Sequence, residues 1–293
     1  MTDVLIIGGG PAGVTAALYT ARAGFSTAVL YKDLGALGKA DNIANFYGHV
    51  AVGGSELVEF GLQQVRNIGV DVINEEAVSI VLNNDGTLTV ATAKATYTAQ
   101  AVMIATGANR ATPKIPGLAG LEGKGVSYCA ICDGFFHKGK DVAVIGTSAY
   151  ALHEVEDLLP IAKSVTVLTN GAQPQVTFPE NVTVKTGKIQ AVTSAETMMG
   201  SVLSGVTLED GESIALSGLF VAVGVAGGTE LAKKLGAVVE NNAVSVDANG
   251  RTTVPGVWAA GDCTGGLKQI VKASYQGAAA GIDIANILKE RAK

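Results

Sequence analysis

Cys129 and Cys132 are separated by two residues in the stretch "CAICDG", and Asp133 follows directly. A C-x-x-C pair brings two sulfurs within bonding reach and lowers the pKa of one thiol, which can then attack a disulfide as the thiolate. A zinc site is the competing reading, and a pair of inert thiols is a third. Zinc needs four ligands. Beyond the pair the chain supplies Cys263, His49, His137 and His153, with no second pair at ligand spacing. Thiol–disulfide exchange is therefore the favoured chemistry, and no metal site is expected. Cys263 has no partner at this spacing and reads as a small, buried apolar residue.

Glycine carries the second chemical signal. Gly8, Gly10 and Gly13 form G-x-G-x-x-G in "DVLIIGGGPAG" (3–13), between a predicted strand and a predicted helix. Gly8 makes the tight turn, Gly10 lets backbone approach a pyrophosphate, and Gly13 lets helix and strand pack closely. The helix then presents free N–H groups to the phosphates. Alone these glycines do not distinguish NAD from FAD. Where a ribose carboxylate is expected stand Tyr31 and Lys32, with Asp33 the only acid in reach.

The elements that position these groups occur twice. Residues 141–151 read "DVAVIGTSAYA", and the register continues without a gap from "STAVLY" (26–31) to "SVTVLT" (164–169). Each copy is strand, glycine turn, helix, strand, the βαβ half of a nucleotide-binding domain. Shorter strands are expected over 87–107, with a hairpin loop at 83–86. The Pro- and Gly-rich stretch 111–127 reads as a linker, and a helix is expected from about 267 to 288. The second copy thus reads as inserted into the first: residues 1–112 and 243–293 form one domain, 113–242 the other.

Bulk composition agrees with a compact α/β protein: of 293 residues 48% are apolar, 16% charged and 38 are glycine. A net charge of −5 without a basic stripe argues against nucleic acid. The chain starts straight into a strand, and no apolar run reaches the length of a membrane span. A cytoplasmic location is expected.

The motifs "IIGGGPAG", "NFYG" (45–48), "IATGANR" (104–110), "CAICDG" and "GVWAAGD" (256–262), in that order, resemble the low-molecular-weight thioredoxin reductases over nearly the whole chain. The resemblance implies two Rossmann-like, three-layer ββα domains and a homodimer. It implies FAD in the domain opened by Gly8, Gly10, Pro11, Ala12 and Gly13, with Tyr31 and Lys32 near its ribose. Thr106 and Gly107 would lie on the adenine side, and Gly261 and Asp262 along the ribityl–phosphate region. Lys268, Gln269 and Ile270 would follow the pyrimidine edge, with Asn45 close to the isoalloxazine. Cys132 would face the flavin as the charge-transfer thiolate while Cys129 attacks the disulfide of a thioredoxin-like partner. Asp133 would serve both thiols as acid and base.

In these reductases the inserted domain binds NADPH, and here the chain departs from the pattern at three places. Ser148 stands where the second glycine of the turn belongs. The segment "TNGAQPQ" (169–175) lacks any Arg, Lys or His for a 2′-phosphate, a dianion normally read by Arg forks. The family's segment resembling "GHxPNT" has become "GVAGGTE" (224–230). The resemblance then points to pyridine-nucleotide-independent members, with ferredoxin as donor or a second flavin near Gly146, Ser148 and Tyr150. A docking patch for an acidic ferredoxin could use Lys32, Lys39, Arg66, Arg110 and Lys114. The alternatives are an NAD(P)H-dependent thioredoxin reductase, an oxygen-linked dithiol oxidase and a non-enzymatic flavin redox sensor.

Overall fold

The computed structural model describes residues 1–107, 113–198, 200–223 and 227–293, and at Cys132 the backbone alone. The chain divides into two compact units: Met1–Asn109 with Gly227–Lys293, and Arg110–Ala226. Both are α/β units built on parallel sheets, the second inserted into the first.

In the first unit the apolar run of "DVLII" forms the strand Thr2–Ile7, with Val4 to Ile7 all buried. Unbroken apolar strands of this kind belong to parallel sheets covered on both faces. The strand pairs in parallel with Thr27–Tyr31 and with Thr96–Ile104, Ile7 lying opposite both Leu30 and Ile104. Asp71–Asn74 continues the sheet beyond Thr27–Tyr31. The later half of Thr96–Ile104 pairs in parallel with Val257–Ala259, and the earlier half pairs antiparallel with Leu88–Thr92. One long strand therefore joins the parallel sheet to an antiparallel meander. The expected turn closes that meander, with Gly86 N–H donating to Asn83 O at 3.0 Å.

Helices Pro11–Arg22 and Ile270–Arg291 lie against each other at backbone contact. A methyl group at Gly277 would stand 2.2 Å from Ala12 O, so only glycine permits the approach. Behind them Trp258 and Ile284 close the core. The partly exposed Arg251 guanidinium and the Trp258 indole N–H both donate to Asp283. Burial pushes the Asp283 carboxyl up, but these donors outweigh it and hold it below its ordinary value.

The second unit repeats the order. Its sheet runs Thr183–Lys185, Ser164–Leu168, Asp141–Ile145, Gly218–Val221, Val126–Ser127, all in parallel. A separate antiparallel sheet of Ile189–Thr197, Gly200–Leu208 and Ser213–Ala215 corresponds to the first unit's meander. Val126–Ser127 thus holds the sheet position that Val257–Ala259 holds in the first unit. Each of these short strands delivers a cysteine-bearing turn to the sheet's C-terminal edge, where ligands of open α/β sheets bind.

Two expectations change. The stretch 111–127 is more than a linker, because Ile115, Leu118, Leu121 and Val126 are buried in the core of the second unit. The second crossing falls at Gly227, not near 243. Helix Gly228–Lys234 buries Leu231 and Ala232 within the first unit. It also lies so close to that unit's sheet that a methyl group at Gly228 would come within 2.8 Å of Thr106 Oγ1.

Candidate functional site

At the first glycine turn, Gly8 takes φ +123 and its N–H donates to Leu30 O at 2.7 Å. A methyl group there would lie 2.1 Å from Ala105 O, and one at Gly13 would lie 1.9 Å from Gly8 O. One at Gly10 would meet nothing within 4 Å among the described residues. The outer glycines are thus required by packing, and the middle one leaves open space in front of the Pro11–Arg22 helix. A cavity of about 280 Å³ begins there, lined by Gly9, Gly10, Pro11, Phe46, His49 and Ile270 among others.

Further parts of the same unit converge on this edge. Gly107 takes φ +80, and the Thr106 hydroxyl beside it is buried with no hydrogen-bond partner among the described residues. A buried hydroxyl without a partner costs about 1–3 kcal/mol, a penalty that a bound acceptor would remove. Asn45 Nδ2 donates to Gln269 Oε1 at 3.1 Å, which joins two residues far apart in sequence. Gly261 (φ +84) precedes the turn Asp262–Thr264. Lys272 threads under that turn, with Nζ donating to Gly261 O at 2.8 Å and Gly265 O at 2.6 Å. Lys268 is exposed and Ile270 half-buried. Burial pushes the Cys263 thiol up to about 12.

Past the end of the second strand, Lys32 Nζ pairs with Glu76 Oε2 at 2.8 Å. Asp33 instead caps a turn, accepting from Gly35 N–H at 2.8 Å. Glu76 follows the third strand, so the second strand's own sequence does not reveal it. Tyr31 and Asn74 lie opposite each other in the sheet, so both strands end together and bring Lys32 and Glu76 within reach.

The second turn starts in the same way: a methyl group at Gly146 would lie 2.3 Å from Ala222 O. Thereafter the copies diverge. Ser148 is 6% exposed and precedes the helix Ala149–Leu158. Gln175 N–H donates to Thr147 O at 2.8 Å, drawing the segment 169–175 across the turn. Tyr150 is 2% exposed and its hydroxyl donates to Tyr128 O at 3.0 Å. Its ring is therefore packed inside the unit, and a second flavin near Gly146, Ser148 and Tyr150 finds no support there.

Beyond Val126–Ser127 lies the redox turn. Cys129 is disulfide-bonded and 3% exposed, and Cys132 lies in the short helix Ala130–Asp133. Cys129 N–H donates to Ser127 Oγ at 3.1 Å, and the Ser127 hydroxyl donates to Asp133 Oδ2 at 2.6 Å. Glu154, wholly buried on the neighbouring helix, accepts from Ala130 N–H at 2.6 Å. Neither Ser127 nor Glu154 carries a motif of its own, so only their packing against the redox turn reveals them. Ile131, Phe135 and Phe136 around that turn are 62–71% exposed. Arg110, the end of "IATGANR" and residues 224–226 of the altered "GVAGGTE" lie outside the described residues.

A family model described as pyridine nucleotide-disulphide oxidoreductase matches residues 2–277. The chain belongs to this family. Within it the chain is similar to thioredoxin reductases. That of Aquifex aeolicus is 32% identical over 99% of this chain and 94% of its own length. Among solved structures, the atypical thioredoxin reductase TRi of Desulfovibrio vulgaris Hildenborough is 35% identical. It covers 99% of each chain at a TM-score of 0.90. A ferredoxin-flavin thioredoxin reductase from Clostridium acetobutylicum is 26% identical, covering 99% of this chain and 98% of its own at a TM-score of 0.72. This member of the family is accordingly an FAD-dependent disulfide oxidoreductase of the thioredoxin reductase type. FAD suits the first unit's edge: the open space at Gly10 admits a pyrophosphate, and the Thr106 hydroxyl has no hydrogen-bond partner among the described residues.

Proposed function

We propose that the enzyme reduces the disulfide of a thioredoxin-like protein through Cys129 and Cys132, with electrons reaching FAD from a donor other than NADPH. The observation that carries the second half is the closed second turn. Ser148 is buried at the place of the open Gly10, and the segment held by the Gln175–Thr147 hydrogen bond lies across the turn without a cationic side chain. A 2′-phosphate has no Arg or Lys fork to meet there. The ferredoxin-flavin relative supports reduced ferredoxin as the donor. The family's description favours a second reading, a nicotinamide-dependent reductase.

In the proposed site Gly10, Pro11, Ala12, Thr106, Gly107, Asp262 and the Asn45–Gln269 pair would hold FAD. Tyr31 and Lys32, at the end of the second strand, and Lys268 and Ile270, before the last helix, would complete its binding site. Reduced FAD, when bound, would supply the two electrons that open the Cys129–Cys132 disulfide to the dithiol state. Cys129 then attacks one sulfur of the partner's disulfide, and the mixed disulfide is resolved by Cys132, which restores the Cys129–Cys132 bond and releases the partner as a dithiol. Asp133 accepts a thiol proton and returns it to the leaving thiolate, and the Ser127 hydroxyl fixes the carboxylate's orientation. Cys129 is buried in the disulfide form, so the redox turn must open before a partner docks. The apolar side chains of Ile131, Phe135 and Phe136 give that partner a surface to cover.

The test is an anaerobic titration of the flavin-loaded protein, followed by flavin absorbance, with NADPH, NADH and dithionite-reduced ferredoxin in turn. Bleaching by ferredoxin alone is expected. Bleaching by stoichiometric NADPH would establish the nicotinamide-dependent reading instead.

A further inference from the structure

Glu154 is the least expected group in the second unit. It is wholly buried, and a carboxylate in such a place costs several kcal/mol unless it is well bonded. Its Oε2 accepts from Ala130 N–H at 2.6 Å, the backbone donor next to Cys129. The register that aligns Gly8 with Gly146 aligns Glu154 with Ala16, whose methyl group packs in the core of the first unit. Nothing in a βαβ fold asks for an acid at this position. From the other side Ser127 accepts from Cys129 N–H and donates to Asp133, so the turn is gripped on both flanks.

We infer that Glu154 is a positioning residue that also sets the reduction potential of the Cys129–Cys132 pair. This rests on the reading that these cysteines exchange with a partner. The hydrogen bond holds Ala130, and hence the backbone of Cys129, in one place. Held ionised by the Ala130 N–H, the carboxylate would oppose a second negative charge on Cys129 once the disulfide has opened, because the interior screens it little. A reduced form whose thiolate is disfavoured gives up its electrons more readily, because stabilising the reduced form is what makes such a pair oxidising. Glu154 thus keeps the pair reducing, as suits a donor to another protein's disulfide.

The experiment equilibrates the flavin-loaded protein anaerobically at pH 7 in glutathione and dithiothreitol redox buffers. With glutathione, the protein disulfide and two thiols give two cysteine thiols and glutathione disulfide; one S–S bond breaks, one forms, and two protons pass to the cysteines. The thiol state of the peptide carrying Cys129 and Cys132 is read by alkylation and mass, and flavin absorbance is read in the same samples. Glu154→Gln keeps an acceptor for Ala130 and removes the charge. It should shift the equilibrium about tenfold toward the dithiol, about 30 mV less negative, with the flavin transition unmoved. Glu154→Met should shift it in the same direction, which covers failure of the first variant to fold. Tyr150→Phe, which loosens the same helix without changing charge, should melt earlier and leave the potential in place. A potential within twofold of the parent in a folded Glu154 variant would overturn the inference, as would an equal shift in Tyr150→Phe. A parent protein whose pair never titrates would overturn the underlying reading instead.

Discussion

The turns at Gly8 and Gly146 begin as the same structure and end with different tasks. In both, the first glycine lies against a carbonyl of the neighbouring strand's end, Ala105 in one and Ala222 in the other. Two positions on, Gly10 opens to space whereas Ser148 is buried. Two and six positions further on, Ala12 and Ala16 pack against the glycines of a neighbouring helix, while Tyr150 and Glu154 at the matching places grip the redox turn. A nucleotide turn needs small residues at its mouth and on its helix. Once larger side chains occupy them, the same βαβ frame serves as a clamp for a different chemical group. The two short strands at matching sheet positions make the same point: one leads to the disulfide-bonded Cys129, the other to the buried Cys263.

This contrast can be broken experimentally. Gly13→Ala should have the largest effect, because its methyl group would collide with backbone at Gly8 O. A loss of ~3 kcal/mol or more is expected, read as a collapse of the thermal transition. Gly10→Ala should fold, since its methyl group enters open space, yet emerge with bound FAD greatly reduced. Equal flavin content in Gly10→Ala and the parent would mean that this mouth is not where the cofactor enters.

Cysteine labelling sharpens the contrast at the strand ends. With its thiol pushed up to about 12, Cys263 stays protonated at pH 8. Only the thiolate reacts, so the reduced, folded protein should label at Cys129 and Cys132 about a thousandfold faster than at Cys263. Ser148→Gly should change least. Glycine at a helix N-cap costs a few tenths of a kcal/mol, and the flavin should remain unbleached by NADPH because the Gln175 hydrogen bond still closes the turn. A gain of NADPH response from this one change would show that the serine alone excludes the nucleotide.

Much of the molecule is legible in the residue order. Periodicity and the repeated glycine turn fix the two βαβ frames, since an apolar run, a tight turn and an amphipathic helix are local features. C-x-x-C spacing fixes the redox pair for the same reason. The second domain crossing escaped because Gly227–Lys234 has no composition shift to mark it, and only its fit against Thr106 and Cys263 assigns it to the first unit. The Lys32–Glu76 pair, the Asn45–Gln269 contact, the Ser127 link to Asp133 and the grip of Glu154 on Ala130 join residues from separate elements. Sequence determined which chemistry this chain carries and which nucleotide turn has lost its glycine. Tertiary structure alone decided what replaced it, because a buried polar group declares its role only through the partner that folding brings to it.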